Sequence, residues 1–393
     1  MLKRLKLIIL LLLTATVLPA WSQSDSVRVS LITYYPGHEI YELFGHTELR
    51  VVDGFSDNFY NYGMFDFNTP NFAYRFVSGK TDYMCVAVPA SEAFYQEQGR
   101  KMVEQVLNLT QPQARAVRDF LANNALPQNA TYRYKFVSDN CATRPRDIIE
   151  NALGKTLQYK EQGNKETFRD IMRYYNRNYP WEQFGIDLAL GCGLDTTVTY
   201  RQRMFVPMLL HDAMAGATVV VNGKRQPVVS TTTVVVPGSD DGLAAGPTPW
   251  YLTPLTWSLL LLALTIFLTW RDIRRGKVSR WFDSVIYAVY ALAGCVVFFL
   301  ILVSTHESTS PNLNGFWLHP FYFLPAVLVW IKSAKKLLLY CHFLNFAVII
   351  LLMLSWYWLP QSANLAFFPL MAVSALRSFN YIAINNKCEK VSK

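Results

Sequence analysis

The chain has 393 residues, 52% of them hydrophobic, and its 37 Lys and Arg against 28 Asp and Glu give a formal net charge of +9. That excess carries no nucleic-acid meaning, because much of it sits in short loops between apolar runs, where membrane topology accounts for it. Composition shifts near residue 250, from mixed charge, turns and aromatics to long apolar runs of bilayer-spanning length, so the chain reads as a soluble head on a membrane base.

Residues 1–22 have a basic start (Lys3, Arg4, Lys6), an apolar core over 7–18 without a lipobox cysteine, and small residues Ala20 and Ser22 that suit cleavage before Gln23. This is an export signal, and it predicts a compartment that oxidises thiols. From 27 to 88, short runs such as "VRVSLITYY", "TELRVV", "FYNYGMFDF" and "YMCVAVP" alternate apolar and polar residues between Gly, Asn, Asp and Pro, which predicts an antiparallel sheet. Helical spacing follows over 91–107 and 112–123, with Thr110 as N-cap and Pro112 in the first turn. "TYRYKFVS" predicts another strand, and 143–153 a helix closed by Gly154. Residues 155–215 mix helix and loop and include "GCGLD", read as a turn. A hairpin turning at Asn222 and Gly223 leads into the linker "GSDDGLAAGPTP".

Five spans are predicted, at 252–270, 282–303, 316–331, 337–359 and 364–384. Basic residues follow the first (Arg271, Arg274, Arg275, Lys277, Arg280), the third (Lys332, Lys335, Lys336) and the fifth (Lys387, Lys390, Lys393), whereas the alternate loops "STHESTSPNLNG" and "QSA" have none. The head therefore lies outside the cytoplasmic membrane and the C-terminus inside. The predicted plan is an export signal over 1–22, an α+β catalytic domain over 23–215, a hairpin and linker over 216–250, an all-α membrane domain over 251–385 and a cytoplasmic tail over 386–393.

Three cysteines are exported, Cys85, Cys141 and Cys192, so at least one thiol is free. If two pair, Cys85 with Cys192 is expected, because Cys141 has the surroundings of a reactive thiol. It precedes a helix start, whose dipole end is positive, and is followed by Arg144 and Arg146; both features favour thiolate. Its base must come from His38, His46 or His211. His46 opens an alternating strand after a glycine and can face a helix terminus packed on the sheet, whereas His38 follows a Pro-Gly turn. Asn61 on the next strand is a candidate orienter of the imidazole, with Glu39, Glu42 and Asp139 as alternatives, and Asn140 could support an oxyanion. Arg144, His306 and Glu307 are candidate substrate contacts, with His319 near them; Arg377 is read as reaching the inner interface. No metal cluster or phosphate loop is found, and no cofactor is expected.

The histidine precedes the cysteine by about 95 residues. "GHTELRV" and "DNCATR" resemble, in that order, the His-on-strand and Asn-Cys-on-helix motifs of circularly permuted papain-like domains of the NlpC/P60 type. More closely, "FGHTELRV", "YNYGMFDFNTPNFAYRFVSGKTDYM", "GRKMVEQVLNLT" and "YRYKFVSDNCATRPRDIIE" resemble the exported domain of the Lnb family of bacterial lipoprotein N-acyltransferases, and the "HESTSPNLNGF" loop and layout extend the resemblance over nearly the whole chain. The resemblance implies acyl transfer from a phospholipid or other acylated lipid to the N-terminal amine of a diacylated lipoprotein, with Cys141 forming the thioester and His46 its base.

A membrane-anchored cysteine peptidase or amidase acting on the cell wall is the competing expectation, and a noncatalytic assembly factor a third. Exposing roughly fifteen methylenes to water costs about 12 kcal/mol. An enzyme that moves acyl chains therefore gains from working at the bilayer face, whereas a peptidase needs one anchor rather than five spans.

Overall fold

A computed structural model describes residues 26–391 apart from 97–99, 162, 164, 222 and 239–245; the side chains of 96 and 386–391 are also outside the description. The predicted export signal, Asn222, most of the linker and the side chains of the basic tail thus lie outside the described residues.

The alternating runs build a seven-stranded antiparallel sheet, ordered β6-β4-β3-β2-β1-β5-β9. Its strands are β1 (Arg28–Tyr34), β2 (His46–Val52), β3 (Asp57–Phe65), β4 (Asp82–Pro89), β5 (Met102–Leu107), β6 (Thr131–Arg133) and β9 (Val229–Val236); β7 (Thr218–Val221) and β8 (Lys224–Pro227) form a separate hairpin. The head's helices are α1 (Phe72–Val77), α2 (Ala90–Gln96), α3 (Gln111–Asn124), α4 (Thr143–Leu153), α5 (Phe168–Tyr175), α6 (Pro180–Ala189), α7 (Tyr200–Arg203) and α8 (Pro207–Gly216). One sheet face packs Leu31, Leu49 and Tyr62 with Leu121 of α3, Ile149 of α4 and Leu210 of α8. On the other, Ile32 and Phe59 pack with Ala93 of α2. The site-bearing strand β2 is thereby held against the start of α4.

Two predicted elements change. The helix expected over 91–107 ends at Gln96, and Met102–Leu107 is a strand paired between β1 and β9. Met102, Val103, Glu104, Gln105 and Leu107 are all buried, so a strand covered on both faces has lost the period-two signal. The predicted hairpin forms between β7 and β8, but the chain then continues into β9, which extends the main sheet.

Among the described residues, four helices are long and apolar enough to cross a membrane: Pro254–Arg275 (α9), Arg280–Leu302 (α10), Lys332–Trp358 and Phe367–Asn385. The third of the five predicted spans is not among them. It is broken into 3-10 turns at Leu313–Phe316 and Pro320–Tyr322 and a short helix, α11 (Phe323–Leu328). Pro320 and Pro325 supply no N–H to a continuous ladder. The segment nevertheless runs along the bundle in pieces: His319 packs on Gly294 inside α10, and Trp330 Nε1 donates to Ser284 Oγ near the start of α10 at 2.7 Å. The remaining helices are α12 (Lys335–Ser355) and α13 (Phe367–Val391). Arg377 of α13 is fully buried rather than directed to an interface. It bonds Asp272 of α9 at 2.8 Å, Asp283 of α10, and Thr269.

Head and base are joined by a polar seam. Fully buried Arg169 of α5 binds Asp187 at 2.7 Å and Asp195 at 2.9 Å. Asp187 in turn accepts from Asn364, and its carbonyl accepts from Asn314. "GCGLD" forms more than a turn: the N–H groups of Gly191 and Cys192 bond the carbonyls of Ser308 and Pro311, and a Cβ at Gly191 would lie 2.0 Å from the Pro311 oxygen. The "HESTSPNLNGF" loop is thus a docking element for the head.

Candidate active site

Gly45 turns the chain into β2 at φ +81°, where a Cβ would meet the Tyr34 carbonyl oxygen at 2.6 Å. His46 follows at the strand's first position, opposite Tyr34 of β1. Asn61 of β3 reaches its ring, with Oδ1 3.0 Å from Nε2, and the same oxygen accepts the Gly63 N–H at 2.7 Å. A backbone N–H can bond only the oxygen of the amide, so Nε2 must carry the proton and Nδ1 keeps the lone pair. The β3–β4 register slips between Asn61 and Met64. Such a bulge re-aims side chains, and it brings Gly63 flat against the imidazole, where a Cβ would be 2.7 Å from Cε1.

Cys141 is buried just ahead of α4. Asn140 shapes that turn: its Oδ1 accepts the N–H groups of Ala142 at 2.8 Å and Thr143 at 2.9 Å, while its Nδ2 donates to the carbonyls of Phe136 at 2.7 Å and Phe205 at 2.8 Å. Both amide hydrogens are consumed, so Asn140 has none left for the expected oxyanion contact, and its bonds hold the turn ahead of α4. The thiol instead receives bonds from the Thr47 N–H, its own N–H and the Tyr134 hydroxyl.

The predicted thiolate is also corrected. Burial pushes the Cys141 thiol up to about 11, outweighing those hydrogen bonds and the field of Arg100. Asn140 already occupies two of the helix-start N–H groups that would have favoured the anion. Arg144 turns away: it forms a two-point pair with Asp139 at 2.6 and 2.9 Å and lies 3.6 Å over the Tyr132 ring. His46 is held down to about 4, first by burial and then by Arg100, against the raising effect of Asn61. Glu48, buried, lies 3.7 Å from Nε2 without reversing this balance. The resting pair is a neutral thiol and a neutral imidazole.

Cys141, His46, Asn61 and Asn140 line one cavity of about 310 Å³. Its walls are largely aromatic, including Tyr41, Phe44, Phe65, Phe67, Tyr83, Tyr134, Phe136 and Phe205, with Arg100 and Glu42 as the charged members. Arg100 donates to the Tyr35 carbonyl at 2.6 Å and faces Glu42 at 3.4 Å. Of the other candidates, Glu42 lines this cavity beside Arg100, and the rest lie apart from it. His38 and Glu39 are exposed, and His211 bonds Asp212. His306 bonds the Phe76 carbonyl at 2.7 Å, and Glu307 bonds Ser138. Those two join the base to the head instead of lining the site. Cys85 is buried in the sheet core and Cys192 lies beside Gln361; both are unpaired, against the expected disulfide. Tyr134, Arg100 and Glu48 were not anticipated from the sequence.

Residues 18–178 match the family model of the Lnb N-terminal periplasmic domain, and residues 247–389 match that of the Lnb transmembrane domain. No curated relative and no solved structure matches the chain at a significant level.

Proposed function

The chain belongs to the Lnb family, and from that premise we propose that it is a membrane-bound lipoprotein N-acyltransferase working through a thioester on Cys141, in a head with the permuted papain-like order of histidine and cysteine. The observation that carries this reading is the convergence of Cys141, His46 and Asn61 on one aromatic cavity in a head fastened to a membrane base.

In the first half-reaction the Cys141 sulfur attacks an ester carbonyl of the donor lipid as its proton passes to Nδ1 of His46. The neutral resting pair means that proton transfer accompanies attack instead of preceding it. Negative charge on the carbonyl oxygen is met by N–H and O–H dipoles of the kind now bonded to the thiol, from the Cys141 backbone and Tyr134, within the field of Arg100. The C–O bond breaks, the leaving alcohol takes the proton from His46, and the acyl chain remains on sulfur. In the second, the neutral N-terminal amine of a diacylated lipoprotein attacks the thioester, His46 accepts the amine proton and returns it to the departing sulfur, and an amide is formed. Asn61 keeps Nε2 protonated throughout, so that Nδ1 serves as the base.

The aromatic walls favour lipid over a peptide, whose amides would need partners there. The chain runs from Asn364, beside Asp187 of the head, through α13 to Asn380, beside Asp272 at the other end of the bundle. This direction and the basic loops support a cytoplasmic C-terminus, and a phosphatase reporter fused after Lys393 should be inactive.

The direct test of the reaction reconstitutes the full chain in phospholipid vesicles with a synthetic diacylated lipopeptide. Wild type should convert the peptide amine to an amide, and Cys141→Ser should not. An acceptor peptide cleaved in place of being acylated would move the assignment to the peptidase reading.

A further inference from the structure

The site's cavity leaves a chain unaccommodated. At about 310 Å³ it is at the low end of the range for small-ligand pockets, roughly 300–1,000 Å³. It can house an ester and the carbons next to it, while the rest of a long chain must be covered elsewhere.

A covering surface adjoins it. Helix α1, "FAYRFV", buries none of its residues, although it carries Phe72, Tyr74, Phe76 and Val77; Tyr74 is 52% exposed, and Phe67 just before the helix is 66% exposed. An apolar surface of this kind on an exported domain marks a contact. Its position says with what. The Tyr74 ring lies 6.1 Å from Phe299, one turn inside the end of α10 at Leu302, and Ser304 and Thr305, just beyond that span, donate to the carbonyls of Val77 and Ser78. The helix is therefore fixed at the level where the second span leaves the bilayer. Its one charged side chain, Arg75, is neutralised by Asp82 at 2.6 Å.

From α1 the rings continue to the thiol. Phe76 meets Phe72 at 5.9 Å, Phe72 meets Phe65 at 5.7 Å, Phe65 meets Tyr83 at 4.9 Å and Tyr83 meets Tyr134 at 4.3 Å, and the Tyr134 hydroxyl bonds Cys141. We propose that α1 and the turn at Phe65–Phe67 form the route along which the donor lipid's hydrocarbon chain leaves the periplasmic leaflet and lies while its ester is at Cys141. The occupant is the acyl chain. The proposal rests on the reading of the site as acyl-transferring and adds to it where the donor enters.

Two measurements separate the route from that reading. The full chain carrying Cys141→Ala, in phosphatidylethanolamine and phosphatidylglycerol vesicles whose acyl chains end in a diazirine, should on irradiation be labelled within residues 65–77; labelling confined to the spans would overturn the route whatever the enzyme's activity. In parallel, Tyr74→Glu and Phe76→Ser, at exposed positions outside the cavity, should lower acylation of Cys141 by vesicle phospholipid at least tenfold. Acylation by a soluble butyryl thioester should stay within twofold, and Tyr74→Leu should retain both. Equal losses with the two donors, or no loss with either, would reject the route. If wild type is acylated by neither donor while residues 65–77 are still labelled, the acyl-transfer reading fails and the lipid path stands.

Discussion

The candidate active-site cavity and the seam joining head to base both bury titratable groups, but on opposite principles. At the seam, Arg169 is enclosed with two carboxylates, Asp187 and Asp195, and every charge has a counter-charge. In the cavity, Cys141 and His46 are bound chiefly by dipoles: an amide oxygen, backbone N–H groups and a phenol. The seam is ionic and permanent, whereas Cys141 and His46 themselves are neutral at rest. A group that must gain and lose a proton in each cycle is better kept away from a fixed counter-ion, which would hold it in one state. A joint that must hold a head on a bilayer has no such constraint, and there the cost of burying charge is offset only while all partners remain.

That contrast can be broken from either side. His46→Gln should remove the base and lower both thioester formation and transfer by about a hundredfold to ten-thousandfold, with unfolding free energy within about 1 kcal/mol of wild type; kinetics and thermal melts on one preparation read both, and His38→Gln is the control that keeps its activity. Arg169→Leu should do the reverse. It strands the buried carboxylate of Asp195 and leaves Asp187 with Arg173 alone at 3.3 Å, and should cost about 3–5 kcal/mol of stability, while the protein that remains folded still takes an acyl chain on Cys141. Asn61→Asp would import the seam's principle into the cavity: a carboxylate beside Nε2 raises the His46 pKa. Wild type should keep its rate of thioester formation as pH falls toward about 4, below which His46 is protonated and cannot accept a proton. In the variant that acid limb should rise by about one to three pH units, as pH–rate profiles of thioester formation will show. Arg144→Gln should have the smallest effect, under about twofold on rate, since Arg144 faces Asp139 and Tyr132; a large loss would return it to the substrate.

Much of the framework is readable in the sequence because it is local. The helix over 143–153, the run "HTELRVV" and the N-cap at Thr110 each rest on a few neighbouring residues and form near the limits they imply. What sequence hid depends on burial or on distant partners. Strand β5 reads as helix because both its faces are covered. Arg144 sits three residues after Cys141, and only the fold decides that it points at Asp139. Asn61 was legible as a polar residue on the next strand, but the bulge and Gly63 that aim it at His46 were not. Tyr134 alternates with Tyr132 in "TYRYKFVS", yet only the packing of α4 on β2 brings its hydroxyl to Cys141. Arg100 lies 41 positions before Cys141, with only the basic run "GRK" to mark it. The third predicted span shows the same limit: hydropathy registers apolar residues, not the two prolines that break the helix.

Acylation of the buried, neutral Cys141 is the step on which the proposed mechanism turns. It is tested most directly by reconstituting the purified chain in phospholipid vesicles without acceptor and taking the intact-protein mass and the mass of the peptide containing residue 141. A fatty-acyl increment is expected on Cys141, removed by hydroxylamine and lacking in Cys141→Ala and His46→Gln. Acylation of an added lipopeptide with no such increment, or by the Cys141→Ala protein, would contradict it.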